Sequence, residues 1–324
     1  MGNEVKAKKD YIFYAKCIAV LLVFNSHLDN CYPISALATG GGLGNALFFF
    51  VSGYTWWKAK DKSFLNWYCI KAERIYLPTL LTNIVYILLF GVYIDITATK
   101  IFEIFIYPNK AWFCGAILVY AIVYYFLTKS KNSGLAIVSV ALLSIYFVWY
   151  IFVMDLSAWH VESMYYGGLC RFVFYLLCMI VGLIYHRLEK VSDAISEKKD
   201  LVAAVVLFFT LYLDKFMMQY RTILMKMQFL NQLFTLGCVI ALFSFLRKSD
   251  EKLDIPGKTA VISIAEFSWE IYLTQTLIIP FCERLMFPFN VLTAVVVTCI
   301  SSILLKYIVD KGLKLIHPKK KTDQ

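Results

Sequence analysis

Apolar runs separated by short polar segments recur along the whole chain. Ten of them, over 11–28, 43–57, 75–94, 112–128, 135–153, 168–186, 201–218, 231–246, 261–280 and 291–309, each approach the length that crosses about 30 Å of hydrocarbon as a helix. The runs at 43–57 and 112–128 are short, and Asp214 with Lys215 interrupts the seventh. The longest polar stretch, about 187–200, is too short to bury a core of its own. The pattern predicts an all-α polytopic membrane protein: about ten transmembrane helices around a central cavity, forming one membrane domain over 1–315. The basic tail over 316–324 is expected to be disordered.

Composition agrees with the pattern. The chain is 60% hydrophobic and 17% charged, more apolar and less charged than a water-soluble globular domain. The positions of the cations add an orientation. Taken by loop, 24 lysines and arginines fall on one side of the ten runs and 6 on the other, with only Lys16 and Arg171 inside spans. Such asymmetry places the rich side in the cytoplasm and both termini with it. It also accounts for the net charge of +10 without nucleic acid as a partner. The basic start MGNEVKAKKD leads into a long apolar run with no small-residue cleavage site, which predicts a retained first span. The nine cysteines show no metal spacing, so no metal is expected. Cys31 and Cys282 lie near outer loops, where a disulfide between them is an open alternative. There is no internal repeat, which weighs against a secondary transporter.

The chemistry concentrates between Ala15 and Trp57. Lys16 and His27 stand eleven residues apart on the first run, about 16 Å and three turns along one helix face. Ionisable groups inside a membrane span are costly and mark function. A neutral imidazole takes a proton from a hydroxyl near pH 7, and a cation at the cytoplasmic mouth suits an anionic cofactor. The plainer alternative is an interfacial histidine bonded to Asn25 or Asp29. The glycines at 40–42, 44 and 53 suit close helix packing. Lys71 and Arg74, at i and i+3, could grip phosphates or simply obey topology. Pro78 is expected to bend or start the third helix. Arg171, with Glu266 and Glu270 one turn apart, is a candidate for a buried charged cluster or for structural ion pairing. Trp159, His160, Glu162, Tyr165 and Tyr166 form an outer aromatic segment, either a sugar-stacking surface or an interface belt. His186 and His317 receive no role.

Together these motifs resemble the integral-membrane acyltransferase family 3, which includes bacterial O-acetyltransferases of surface polysaccharides. The family's basic residue, ten-residue spacer and histidine align with Lys16 and His27. Its F-F-x-x-S-G signature aligns with Phe48, Phe49, Ser52 and Gly53, and its Arg-x-x-Arg with Lys71 and Arg74. Its late S-x-x-I-Y-L-x-H aligns with the stretch from Ser268 to Gln275. Lysines stand for two arginines and Gln275 for the histidine. The resemblance implies a protein of the bacterial cytoplasmic membrane. It would move an acetyl group from cytoplasmic acetyl-CoA to a hydroxyl of an extracytoplasmic polysaccharide or lipid-linked glycan. His27 and Lys16 would be catalytic, and Lys71, Arg74, Ser52 and Arg171 would serve the acyl donor. Membrane lipid is the surrounding partner, and homo-oligomerisation stays open. The alternatives are an exporter of polysaccharide or lipid-linked sugar, and a succinyl instead of an acetyl donor.

Overall fold

The computed structural model describes residues 9–90, 112–153, 169–220, 229–253 and 256–316, and all its regular structure among them is helical. The outer segment from Trp159 to Tyr166 and the tail after Ile316 lie outside the described residues. Eleven helices organise the described chain: α1 (Asp10–Ser26), α2 (Gly41–Thr55), α3 (Phe64–Phe90), α4 (Trp112–Leu127), α5 (Asn132–Val148), α6 (Leu169–Arg187), α7 (Glu197–Tyr220), α8 (Phe229–Lys248), α9 (Lys258–Glu266), α10 (Ser268–Cys282) and α11 (Phe289–Ile316). Where they are described, the predicted apolar runs are largely helical, the ninth as two helices. Among the described residues, six stretches are long and apolar enough to cross a membrane: Ser35–Asp61, Phe64–Phe90, Asn132–Phe152, Cys170–Arg187, Phe229–Lys248 and Phe289–Leu315. The protein is therefore a multi-helix membrane protein.

The chain divides into two compact units. The first holds the start of α1, then α2, the end of α4, and α5 to α9. The second holds the end of α1 with the loop to Gly41, then α3, the start of α4, α10 and α11.

In the first unit, α2 and α6 cross with their backbones in contact. A Cβ at Gly53 would stand 1.8 Å from the carbonyl oxygen of Met179, and one at Gly182 would stand 2.1 Å from that of Phe50. Only glycine fits at such a crossing. The Gly53 carbonyl accepts a hydrogen bond from the buried Tyr124 hydroxyl of α4. Next to this crossing, Phe50, Tyr54, Tyr185, Tyr11 and Phe243 form an edge-to-face cluster with centroids 4.7–6.2 Å apart. The seventh run is a continuous helix despite Asp214, because Asn231 of α8 donates to the Asp214 carboxylate at 3.2 Å and to the Leu211 carbonyl at 3.0 Å.

The first unit also contains a set of answered charges. The Asp250 carboxylate accepts from the Tyr11 N–H at 2.7 Å, satisfying one of the free donors that open α1. Asp10 pairs with Lys258 at 2.6 Å, Lys248 with Asp200 at 2.6 Å, Lys252 with Glu197 at 2.8 Å, and Arg247 with Asp193. Arg187 donates to the carbonyls of Thr128 and Ser130 just past the end of α4. Loop cations that the hydropathy pattern assigns to one side are thus tied to partners the pattern does not reveal.

In the second unit, α10 packs against α11, where the hydroxyls of Thr274 and Ser302 lie 2.9 Å apart. Phe113 of α4 meets Trp269 and Tyr272 of α10. Two expectations are revised here. Of the two roles expected for Pro78, it does not start the helix: α3 begins at Phe64 and runs through it. The hydroxyls of Thr79 and Thr82 bond the carbonyls of Ile75 and Pro78 at 2.7 Å, adding polar contacts around the missing proline donor. The ninth run is broken at Phe267 into α9 and α10. The ammonium of Lys306 reaches across the Phe267 ring at 4.3 Å and donates to the Glu266 carbonyl at 3.1 Å, satisfying an acceptor that the break leaves open. Glu266 and Glu270 therefore do not sit one turn apart on a single helix. Glu266 is exposed and Glu270 is buried.

Candidate active site

α1 stops where its sequence turns from aliphatic to Asn25, Ser26 and His27. Short polar side chains compete with the helical hydrogen bonds at such a point. The Ser26 hydroxyl folds back on the Val23 carbonyl at 2.7 Å. The N–H of His27 bonds the Phe24 carbonyl at 3.1 Å, tightening the last turn. Asn25 organises the loop from Leu28 to Thr39. Its Nδ2 donates to the carbonyls of Leu37 and Thr39 at 2.8 and 2.9 Å, and its Oδ1 accepts from the Tyr32 hydroxyl at 2.8 Å. The chain leaves this loop through Gly40, whose φ of 103° is a left-handed conformation that favours glycine. At Gly41 a Cβ would meet the Ser26 hydroxyl at 2.3 Å, so α2 can begin directly against the end of α1.

The same loop is tied to the α10–α11 connection. Asn290 donates to the Cys31 carbonyl at 2.7 Å, Asn30 to the Glu283 carboxylate at 3.2 Å, and the Tyr32 ring lies 6.4 Å from that of Phe287. Leu28 and Cys31 are buried. Cys31 and Cys282 are both free thiols, and burial is the main reason the Cys31 thiol stays above its ordinary pKa. Between the fixed Asn25 and the fixed Leu28, His27 is exposed, one residue past the end of α1 and close to Asp29. With all three Asn25 contacts spent on the loop, the carboxamide serves as a brace for the chain around the imidazole.

The remaining candidates fall in both units. Lys71 and Arg74 lie in the first half of α3, Lys71 half-buried and Arg74 exposed, in the same unit as His27. Lys16, Ser52 and Arg171 are half-buried in the first unit. The Ser52 carbonyl accepts from the Trp56 N–H at 3.0 Å, so its residue also closes the end of α2. One residue given no role in the sequence is well placed. The His186 ring stacks on Trp57 at 4.7 Å, meets Tyr54 edge-on at 5.1 Å, and sets Nδ1 2.9 Å from the Glu189 carboxylate. Its only signal in the sequence is the i, i+3 spacing to Glu189.

The sequence model of the family described as "Acyltransferase domain" matches residues 9–311, nearly the whole chain. The chain belongs to acyltransferase family 3. No curated protein and no solved structure is matched. The match takes in both units, so the two are parts of one family architecture. As a member of the family, the protein is an acyltransferase. Gly53 is explained by the α2–α6 crossing.

Proposed function

We propose that the protein is an O-acetyltransferase of the bacterial cytoplasmic membrane, with ten crossings and both termini in the cytoplasm. It takes an acetyl group from cytoplasmic acetyl-CoA and places it on a hydroxyl of a surface polysaccharide or lipid-linked glycan outside. The observation that carries the reading is the presentation of His27, an exposed imidazole between braced residues in a chain matched to the family over 9–311.

His27 accepts the proton of the acceptor hydroxyl as that oxygen attacks the thioester carbonyl. The tetrahedral adduct then expels the thiolate, and the imidazolium returns the proton to it. The alternative order, in which the imidazole first carries the acetyl group, uses the same side chain. Lys71 and Arg74 on α3 supply positive charge to the phosphates of the donor, Arg74 with a planar fork suited to them. The family resemblance gives Lys16 a catalytic part and Ser52 and Arg171 a part in holding the donor.

The test is the ester content of the host's surface glycan with and without the gene. Loss of O-acetyl groups, with glycan still on the surface, supports the transferase. Loss of surface glycan with its esters intact supports an exporter. Mass analysis of the ester separates acetyl from succinyl.

A further inference from the structure

Gln275 on α10 is fully buried, and neither Oε1 nor Nε2 of its carboxamide has a hydrogen-bond partner among the described residues. Burying an amide without partners is unfavourable, and buried polar groups in folded proteins are bonded as a rule. Neighbouring polar side chains of the same unit follow that rule. Thr274 reaches the Glu270 carbonyl at 2.8 Å, Ser302 the Thr298 carbonyl at 2.7 Å, and Asn290 the Cys31 carbonyl at 2.7 Å. A position that needed only apolar packing would take leucine or methionine at lower cost.

Its place along the helix sets how far the amide lies from the end of α10. The Asn30–Glu283 contact fixes the loop after His27 beside the end of α10. Gln275 lies eight residues before Glu283, about 12 Å back along the helix axis. Gln275 thus lies about two turns of α10 inward of the Asn30–Glu283 contact, and in the proposed topology this is the cytoplasmic side of it, from which a thioester arrives.

We propose that Gln275 hydrogen-bonds the amide-bearing arm of the thioester donor while His27 meets the acyl carbonyl. This rests on the reading of the donor as acetyl-CoA. Amides in the arm of coenzyme A offer carbonyl acceptors for Nε2 and N–H donors for Oε1, matching both open atoms. Two methylenes separate the sulfur from the first of them, so that amide stands roughly 5 Å from the thioester. Gln275 is a positioning residue in this scheme and takes no proton.

The experiment uses the full chain in lipid nanodiscs with two small donors: S-acetyl-N-acetylcysteamine, which carries one amide, and ethyl thioacetate, which carries none. The wild type is expected to favour the amide donor in kcat/KM by about tenfold or more, the worth of a well-made hydrogen bond. Gln275→Met, of similar length, is expected to erase that preference without lowering the melting temperature. Equal use of the two donors by the wild type overturns the proposal, and needs no variant to fold. So does a variant in which both donors fall in proportion, or one that melts earlier, since then the amide serves the fold. If the wild type turns over neither these donors nor acetyl-CoA, the thioester reading itself fails. If it uses acetyl-CoA but ignores the amide, only the role of Gln275 fails.

Discussion

The carboxamide of Asn25 donates to the carbonyl of Leu37 at 2.8 Å, joining the end of α1 to a loop residue twelve positions on, two residues before the candidate catalytic His27. With the bonds to Thr39 and from Tyr32, this contact makes the position of the imidazole depend on one side chain. Asn25→Ala is expected to cost about 1–3 kcal/mol of stability for three partly exposed bonds. It is also expected to lower transfer activity further than that loss explains. Hydrogen exchange at the amides of 28–39 should speed up while the α2–α6 crossing stays protected.

The α2–α6 crossing gives a second prediction. Gly53→Ala and Gly182→Ala each push a methyl group into a backbone carbonyl that cannot move alone. Each should cost about 3 kcal/mol or more, or prevent folding. Gly237→Ala is the control, because its nearest neighbour is the end of the Leu207 side chain at 3.1 Å, which can turn aside. Thermal unfolding in detergent, followed by size exclusion, separates the two outcomes.

Burial should rank the ion pairs. Lys248 is 10% exposed and donates to Asp200 and to the carbonyls of Ser192 and Ile195. Lys248→Met strands the buried Asp200 and is expected to cost about 3–5 kcal/mol. Lys252 is 70% exposed, and Lys252→Met should change stability by less than about 1 kcal/mol. Melting temperatures of the two variants, compared at low and high salt, check both the ranking and its cause.

Much of this architecture is legible in the order of residues alone. The apolar runs are largely helical where they are described because long apolar sequences have few other ways to satisfy their backbone in a membrane. Gly53 is readable as a packing glycine, though not its partners Met179 and Gly182, which lie far along the chain. The break at Phe267 is not legible, since Glu266, Phe267 and Ser268 include no proline or glycine and the answering charge, Lys306, comes from another helix. The early start of α3 at Phe64 escapes for a related reason: its first turns are too polar to read as a span but remain helical. Spacing and the family resemblance offer Lys16, His27, Lys71 and Arg74 as candidates. The bracing by Asn25 is not legible, because it joins groups that only the folded loop brings together.

The most direct measurement is acetyl transfer from labelled acetyl-CoA to glycan in proteoliposomes, comparing the wild type with His27→Ala and His27→Gln at matched melting temperatures. The account predicts that both variants fold and lose at least about a hundredfold in rate, as expected when a general base is removed. A His27 variant that transfers acetyl groups at the wild-type rate would contradict it.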